Sequence, residues 1–243
     1  MFERAHHRHI AQVLASLDAE LLRGRQCWFG GGTAISLRMG EYRESIDIDF
    51  LVSDLEGYRE LRQRLRGART LAPLSRAGIT PLPLANEWRV DQYGLRGFVE
   101  VGPRPIKFEI INEARIPLQR PTKKDVVCGV SMLSAPDLAA CKLLANADRW
   151  RDDSVFARDV IDLAYLDLPP RRLAPGLRKA TTAYGPDVVR DMLRAVAALQ
   201  GRQGWLARCV AALSIAEPAA RVMQRLRALD RRLRAAEPLA NDA

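Results

Sequence analysis

Three consecutive glycines, Gly30 to Gly32, stand between a short apolar run, Cys27-Trp28-Phe29, and an alternating segment, Ser45-Ile46-Asp47-Ile48-Asp49-Phe50-Leu51. Glycines permit a backbone turn that residues with a Cβ resist. Strict alternation is the period of a strand. It puts Ile46, Ile48 and Phe50 on one face, and Asp47, Asp49 and Leu51 on the other. Residues two apart on a strand are separated by roughly 6.6 Å along its axis. Two carboxylates so placed can share divalent cations held about 3.5–4 Å apart. The glycine turn exposes N–H groups to an anion, and a helix starting at Thr33 adds its dipole. A phosphate cradle ahead of a metal-binding pair points to phosphoryl or nucleotidyl transfer.

The rest of the chain supplies a frame for that stretch. Ile10, Val13, Leu14, Leu17 and Leu21 predict one helix over residues 3–23, stopped by Gly24. His6, His7 and His9 lie at its start with no cysteine or acid pair nearby, and read as solvated. Ser53-x-x-Glu56 reads as a capping box for a helix carrying Leu55, Tyr58, Leu61 and Leu65. Residues 68–86 have no clear period and read as loop with at most a short strand. Three strands are expected over 88–93, 97–101 and 106–111, the last two joined by a turn at Gly102-Pro103-Arg104-Pro105. This order implies an α+β fold: a mixed sheet with helices packed on it. From Ser134 the chain reads as helical. Ser134-x-x-Asp137 caps a helix to about Arg149, with Leu138, Cys141, Leu144 and Ala145 on its apolar side and Lys142 at that side's edge. Further helices are expected over 154–166, 186–200, 203–214 and 218–236, with 237–243 frayed. The boundaries give a first domain over 1–133 and a helical C-terminal domain over 134–243.

The formal charge is +9, which favours polyanions, nucleic acid above all. In the last helix Arg225, Arg227, Arg231, Arg232 and Arg234 make a basic face, read either as solvated or as a platform for an RNA backbone. Cys27, Cys128, Cys141 and Cys209 are far apart and form no Cys-x-x-Cys pair, so they read as small core residues in a reducing compartment. No run approaches the ~18 apolar residues of a membrane span, and the N-terminus lacks a signal-peptide core. A cytoplasmic protein is expected.

The glycines with Thr33-Ala34, followed by Arg43-x-Ser45-x-Asp47-Ile48-Asp49-Phe50, resemble the first motif of the nucleotidyltransferase superfamily. Within it the chain is most similar to the AbiEii/AbiGii family, toxins of type IV toxin–antitoxin systems. Lys142-Leu143-Leu144-Ala145 resembles that family's lysine motif, and Arg158-Asp159-Val160-Ile161-Asp162-Leu163 its Arg-Asp-x-x-Asp-Leu helix. The spacing from the glycines to Asp47, and from Lys142 to Arg158, is longer than usual in these families. The resemblance implies Mg²⁺ held by Asp47 and Asp49. It implies an NTP bound by Gly31, Gly32, Thr33, Arg43 and Ser45, with Lys142 on the triphosphate. Asp159 would act near the reacting atoms, and Glu109 on the 106–111 strand would be a third carboxylate, as metal ligand or base.

Plain structural readings stand beside these: Glu109 as a cross-strand partner of Lys107 or an arginine, Lys142 as a snorkelling surface lysine, and Asp159 and Asp162 in helix-surface ion pairs. The implied acceptor is RNA, such as tRNA, and the implied protein partner is a cognate antitoxin. Two alternatives are a small-molecule or protein acceptor, and a non-catalytic nucleotide- or RNA-binding module. A small cationic acceptor would prefer an acidic pocket, against the +9 balance. A degenerate copy would be expected to lack an acid, a glycine or Lys142.

Overall fold

The alternating segments become a five-stranded sheet in the structure, a computed structural model that describes residues 2–241. Its strands are β1 (Cys27–Gly30), β2 (Ile48–Val52), β3 (Arg89–Val90), β4 (Gly94–Val99) and β5 (Ile106–Asn112), side by side in the order β1-β2-β5-β4-β3. β2 runs parallel to β5, and the other neighbours are antiparallel. Residues paired in register share a face. Ile48, Phe50, Phe108, Ile110, Leu95 and Val99 therefore fall on one side, each fully buried. Phe50 stacks on Phe108 at 5.4 Å, and Trp88 meets Phe108 edge-on at 5.5 Å. This aromatic and branched packing is the core of the first of two compact units, which holds the chain up to Glu41 and Ser45–Ser134.

The same unit carries α1 (Ala5–Ser16), α2 (Ala19–Gly24), α3 (Gly31–Arg38), α4 (Leu55–Leu65) and a hairpin of β6 (Val126–Val127) and β7 (Val130–Ser131). The helix expected over 3–23 is broken in two. Leu17 turns extended and bridges Ser75, and the Asp18 carboxylate accepts from the N–H groups of Glu20 and Leu21 to start α2. The alternating strand begins at Ile48 rather than Ser45, so Ile46 lies outside it and is 57% exposed. The cap of α4 is Asp54, which accepts from the Gly57 N–H. Ser53 accepts from the Leu118 N–H instead.

The second unit holds Tyr42–Glu44 and the chain from Ala135. Its helices are α5 (Ala135–Arg149), α6 (Arg158–Leu166), α7 (Pro170–Tyr184), α8 (Asp187–Gly201), α9 (Trp205–Ala212) and α10 (Ala219–Asn241). α5 is the hub and packs against α6, α7 and α8. The sequence reading missed α7, whose Pro175-Gly176 looks like a breaker. Gly176 is there for close approach: a Cβ on it would lie 2.7 Å from the Pro136 carbonyl oxygen of α5. α6 starts only at Arg158, because Phe156 and Ala157 are left-handed, with φ of 50° and 51°. α10 continues past 236 through Asn241; of the tail expected to fray, 242–243 lie outside the described residues. Among the described residues no helix is long and apolar enough to cross a membrane.

Candidate active site

The chain leaves β1 through Gly31 and enters α3 at once. Gly31 has φ +69°, and a Cβ there would stand 2.2 Å from Asp49 Oδ2. The glycine is therefore required twice, by its left-handed backbone and by the carboxylate pressed against it. The contact follows from register, since Gly30 pairs with Asp49 across β1 and β2. Asp49 also pairs with Glu109 on β5, Glu109 with Arg96 on β4, and Arg96 with Arg89 on β3. One row of alternating-face positions thus runs across the whole sheet, opposite the apolar core. Glu109 accepts from Arg96 Nε at 2.9 Å and from Lys107 Nζ at 2.5 Å, with 14% of its side chain exposed. This is the cross-strand pairing read from the sequence, present beside Asp49.

Asp47 stands one residue before β2 and is fixed through its backbone. The Thr33 hydroxyl donates to the Asp47 carbonyl oxygen at 2.5 Å and lies 2.8 Å from the Ser45 hydroxyl. Both Thr33 and Ser45 are buried. Behind them sits His7, which the sequence reading left in solvent and the structure buries completely. It lies on the inner side of α1 with Ile10 and Leu14, at helical spacing from both, and that spacing is the sequence signal of its burial. The Ser45 N–H donates to His7 Nε2 at 3.1 Å, so the proton is on Nδ1, which donates to Glu41 Oε1 at 2.8 Å. Burial pushes the imidazole below its ordinary value of 6.5 despite the Glu41 carboxylate. His6 adds a bond to the Ile46 carbonyl at 3.0 Å. The acid-bearing loop is thus held through a chain of contacts, Glu41–His7–Ser45–Thr33–Asp47.

The remaining predicted residues gather in the helical unit. Lys142 is buried rather than at a helix edge. Its ammonium reaches Asp159 Oδ1 at 2.9 Å and Asp162 Oδ2 at 2.7 Å. Asp162 also accepts Arg43 Nε at 2.7 Å, Arg43 Nη2 at 2.9 Å and the Tyr42 hydroxyl at 2.5 Å. Arg149 grips Asp159 at 2.7 and 3.0 Å. The helix-surface ion pair expected for Asp159 and Asp162 is therefore an interior cluster, with the two carboxylates 2% and 0% exposed. Burial opposes ionisation of every member. For Asp162, Arg43 and Lys142 outweigh it and hold the carboxyl below its ordinary range; for Asp159, Lys142 and Arg149 do the same. Lys142 and Arg43 are raised in turn, burial being outweighed by the carboxylates. The family resemblance supplied Lys142 and Asp159. Asp162 stood in the same motif, but only the fold brings Arg43 to it across 119 residues.

A family model described as "Nucleotidyl transferase AbiEii toxin, Type IV TA system" matches residues 12–233. The chain belongs to this family. It is a nucleotidyltransferase of the type IV toxin–antitoxin class, a class in which an antitoxin is the partner. No curated protein matches it. Among solved structures, JHP933 from Helicobacter pylori is 14% identical, covers 100% of this chain and 97% of its own, and superposes with a TM-score of 0.55, a likeness of fold. The nucleotidyltransferase toxin MenT4 from Mycobacterium tuberculosis is 18% identical over 95% of this chain and 86% of its own, with a TM-score of 0.48.

Membership in the family implies a divalent metal, and the donor set is consistent with one. Mg²⁺ is commonly held by one or two carboxylates completed by substrate phosphates and water. Asp47 and Asp49 would supply two, and Gly31 keeps the space beside Asp49 Oδ2 clear of a side chain. Among the described residues no three His, Cys, Asp or Glu side chains form a self-sufficient cage, so the remaining donors would come from substrate and solvent. Among the described residues no cysteine forms a disulfide; Cys27 and Cys209 are buried, Cys128 and Cys141 half-buried.

Proposed function

We propose that this nucleotidyltransferase uses Mg²⁺ and an NTP to modify RNA, such as tRNA, in the cytoplasm, with Asp47 and Asp49 as the metal ligands. The observation that carries the proposal is the approach of Asp49 to Gly31 at the turn between β1 and α3. It brings a carboxylate to the point where a helix N-terminus leaves N–H groups unspent. Bound there, Mg²⁺ would neutralise charge on the triphosphate and lower the pKa of the attacking hydroxyl. Gly31 and Gly32 present backbone N–H groups to the phosphates. Thr33 and Ser45 keep the Asp47 backbone in place, so the carboxylates need little reorganisation when the nucleotide arrives. Glu109, beside Asp49 in the cross-sheet row, is the third carboxylate of the proposed site. In the helical unit, Asp159 and Asp162 hold the Lys142 ammonium in one place, as a point charge acting on a triphosphate requires. Arg43 is held by the same carboxylates' cluster and is proposed as a second phosphate-binding cation.

RNA as acceptor is supported by the +9 charge. On α10, Arg225, Arg232 and Arg234 are paired with Glu217, Asp167 and Asp230. Arg227 and Arg231 are exposed and show no ion pair among the described residues, so of the five arginines on that basic face they are the two assigned to the RNA backbone.

The test is incubation with each labelled NTP in turn, Mg²⁺ and total RNA, resolved on a denaturing gel. One NTP should label an RNA band, and the label should vanish with chelator and in Asp49→Ala. Label appearing only on protein or small molecules would overturn the RNA acceptor. Full labelling by Asp49→Ala would overturn the site.

A further inference from the structure

The helical unit contains a cavity lined by none of the residues assigned to the catalytic site. It has a volume of about 250 Å³ and lies between the end of α5 with its following turn, α8, and the start of α9. Asn146 lines it and is 2% exposed, yet its side-chain nitrogen has no hydrogen-bond partner among the described residues. A buried amide with two donors unspent is unfavourable and uncommon, unless a ligand takes them. Half-buried Trp150 supplies an aromatic wall at the rim, buried Trp205, with Arg202, Arg208 and Phe156 already packed on its ring, closes the inner end, and Ala195 and Ala198 line the side formed by α8. Arg151 lies over Trp150 at 5.1 Å and Arg202 over Trp205 at 4.4 Å. The two arginines differ in one respect. Arg202 is committed to Asp153 through two bonds of 2.7 Å, whereas exposed Arg151 shows no ion pair among the described residues.

We propose that this cavity receives one unpaired base of a single-stranded RNA segment. Flat aromatic and guanidinium surfaces stack any base, and the Asn146 amide supplies a donor for a ring nitrogen or carbonyl at the base edge. Arg151, at the rim, meets the adjoining phosphodiester. The volume is below the roughly 300–1,000 Å³ of pockets that enclose a whole small ligand. It suits a base alone, and one uncommitted cation matches a single phosphodiester charge rather than a triphosphate. Binding here requires no nucleotide transfer, so the proposal stands apart from the catalytic reading and is tested apart from it.

The probe is a fluorescein-labelled, mixed-sequence single-stranded RNA 12-mer, titrated with the full chain and followed by anisotropy. A fully paired RNA duplex and free AMP serve as comparison ligands. The expected result is a preference for the single strand over the duplex of about tenfold or more, no displacement by AMP at concentrations near the protein's own, and a loss of about tenfold in Asn146→Leu and in Arg151→Glu. Arg151→Ala should lower the slope of log affinity against log salt by about one. Arg151 is exposed, so its variants test the site even if Asn146→Leu fails to fold. Equal affinity for duplex and single strand would overturn the unpaired base. Ready displacement by AMP would reassign the cavity to free nucleotides. Unchanged binding by Arg151→Glu would remove RNA from it.

Discussion

Asp162→Asn should cost the helical unit more stability than Lys142→Met, although the resemblance to known toxins gives the lysine the functional role. Asp162 is fully buried and accepts from Tyr42, twice from Arg43, and from Lys142, all within 2.9 Å. Removing its charge deprives Arg43 of both bonds to a carboxylate and leaves two interior cations facing a neutral amide. Breaking a buried pair from one side costs about 3–5 kcal/mol. Lys142→Met removes a cation instead. Asp159 then keeps both bonds from Arg149, and Asp162 keeps Arg43 and Tyr42. The desolvation of the ammonium is relieved, and methionine fills much of its volume, so the cost falls to about 1–2 kcal/mol. At roughly 2–4 °C per kcal/mol for a chain of this size, Asp162→Asn should melt some 6–20 °C low. The assay is urea unfolding at pH 7 with thermal melting as a second probe, on each single variant and the double. The double should be milder than the sum, because the two residues are in contact. An Asp162→Asn variant as stable as Lys142→Met would refute the view that these ion pairs form one interior cluster.

Gly31→Ala should abolish transfer by about a hundredfold or more while costing about 1–3 kcal/mol of stability, because its Cβ meets Asp49 and its φ is left-handed; single-turnover labelling checks this, and near-normal turnover would be the contrary result. His7→Phe should lose about 1–3 kcal/mol in urea unfolding, since Ser45 N–H and Glu41 each lose a partner, and an unchanged midpoint would contradict the network. Stability should also fall in two legs on acidification. His7 is depressed in the folded protein, so its contribution is complete above 6.5 and is lost as pH falls from there toward its folded value. Asp159 and Asp162 are depressed too, so theirs is complete above 3.8 and is lost below it. Urea midpoints from pH 8 to pH 3 should show the upper leg vanish in His7→Phe and the lower leg shrink in Asp162→Asn.

What could be read from the sequence was whatever is encoded by period. The alternation of Ile106 to Ile110 gives β5, and the glycine run gives the turn from β1 to α3. Errors fall where a tertiary contact overrides a local preference. Leu17 continues a helical stripe yet leaves the helix to bridge Ser75. Pro175-Gly176 carries two residues of poor helix propensity, yet α5 packs so close that a glycine is the residue that fits. Polar residues were hardest to place, because a composition argument sends them to solvent. His7 and Lys142 are both buried, and in each case the partners lie far along the chain: Glu41 and Ser45 for the histidine, Asp159 and Asp162 for the lysine. No period of 2 or 3.6 can report a contact of that separation.

The spacing of the first motif has a physical reason in the sheet. A strand that ends in a helix and must return antiparallel beside itself needs the length of that helix plus a crossing loop. Here α3 supplies the helix, and residues 39–47 the loop. The return strand β2 pairs Gly30 with Asp49. Because β1 stops at that pair, the next residue, Gly31, turns away from the sheet beside Asp49 rather than covering it. Register thus decides which carboxylate meets the helix N-terminus. A slip of one residue would put Ile48 or Phe50 there and turn both carboxylates into the apolar core. That slip is prevented by the fully buried Phe29, Phe50 and Phe108 on the opposite face. The core packing and the placement of Asp49 are therefore two consequences of one strand register, and a variant that loosened the first would be expected to lose the second.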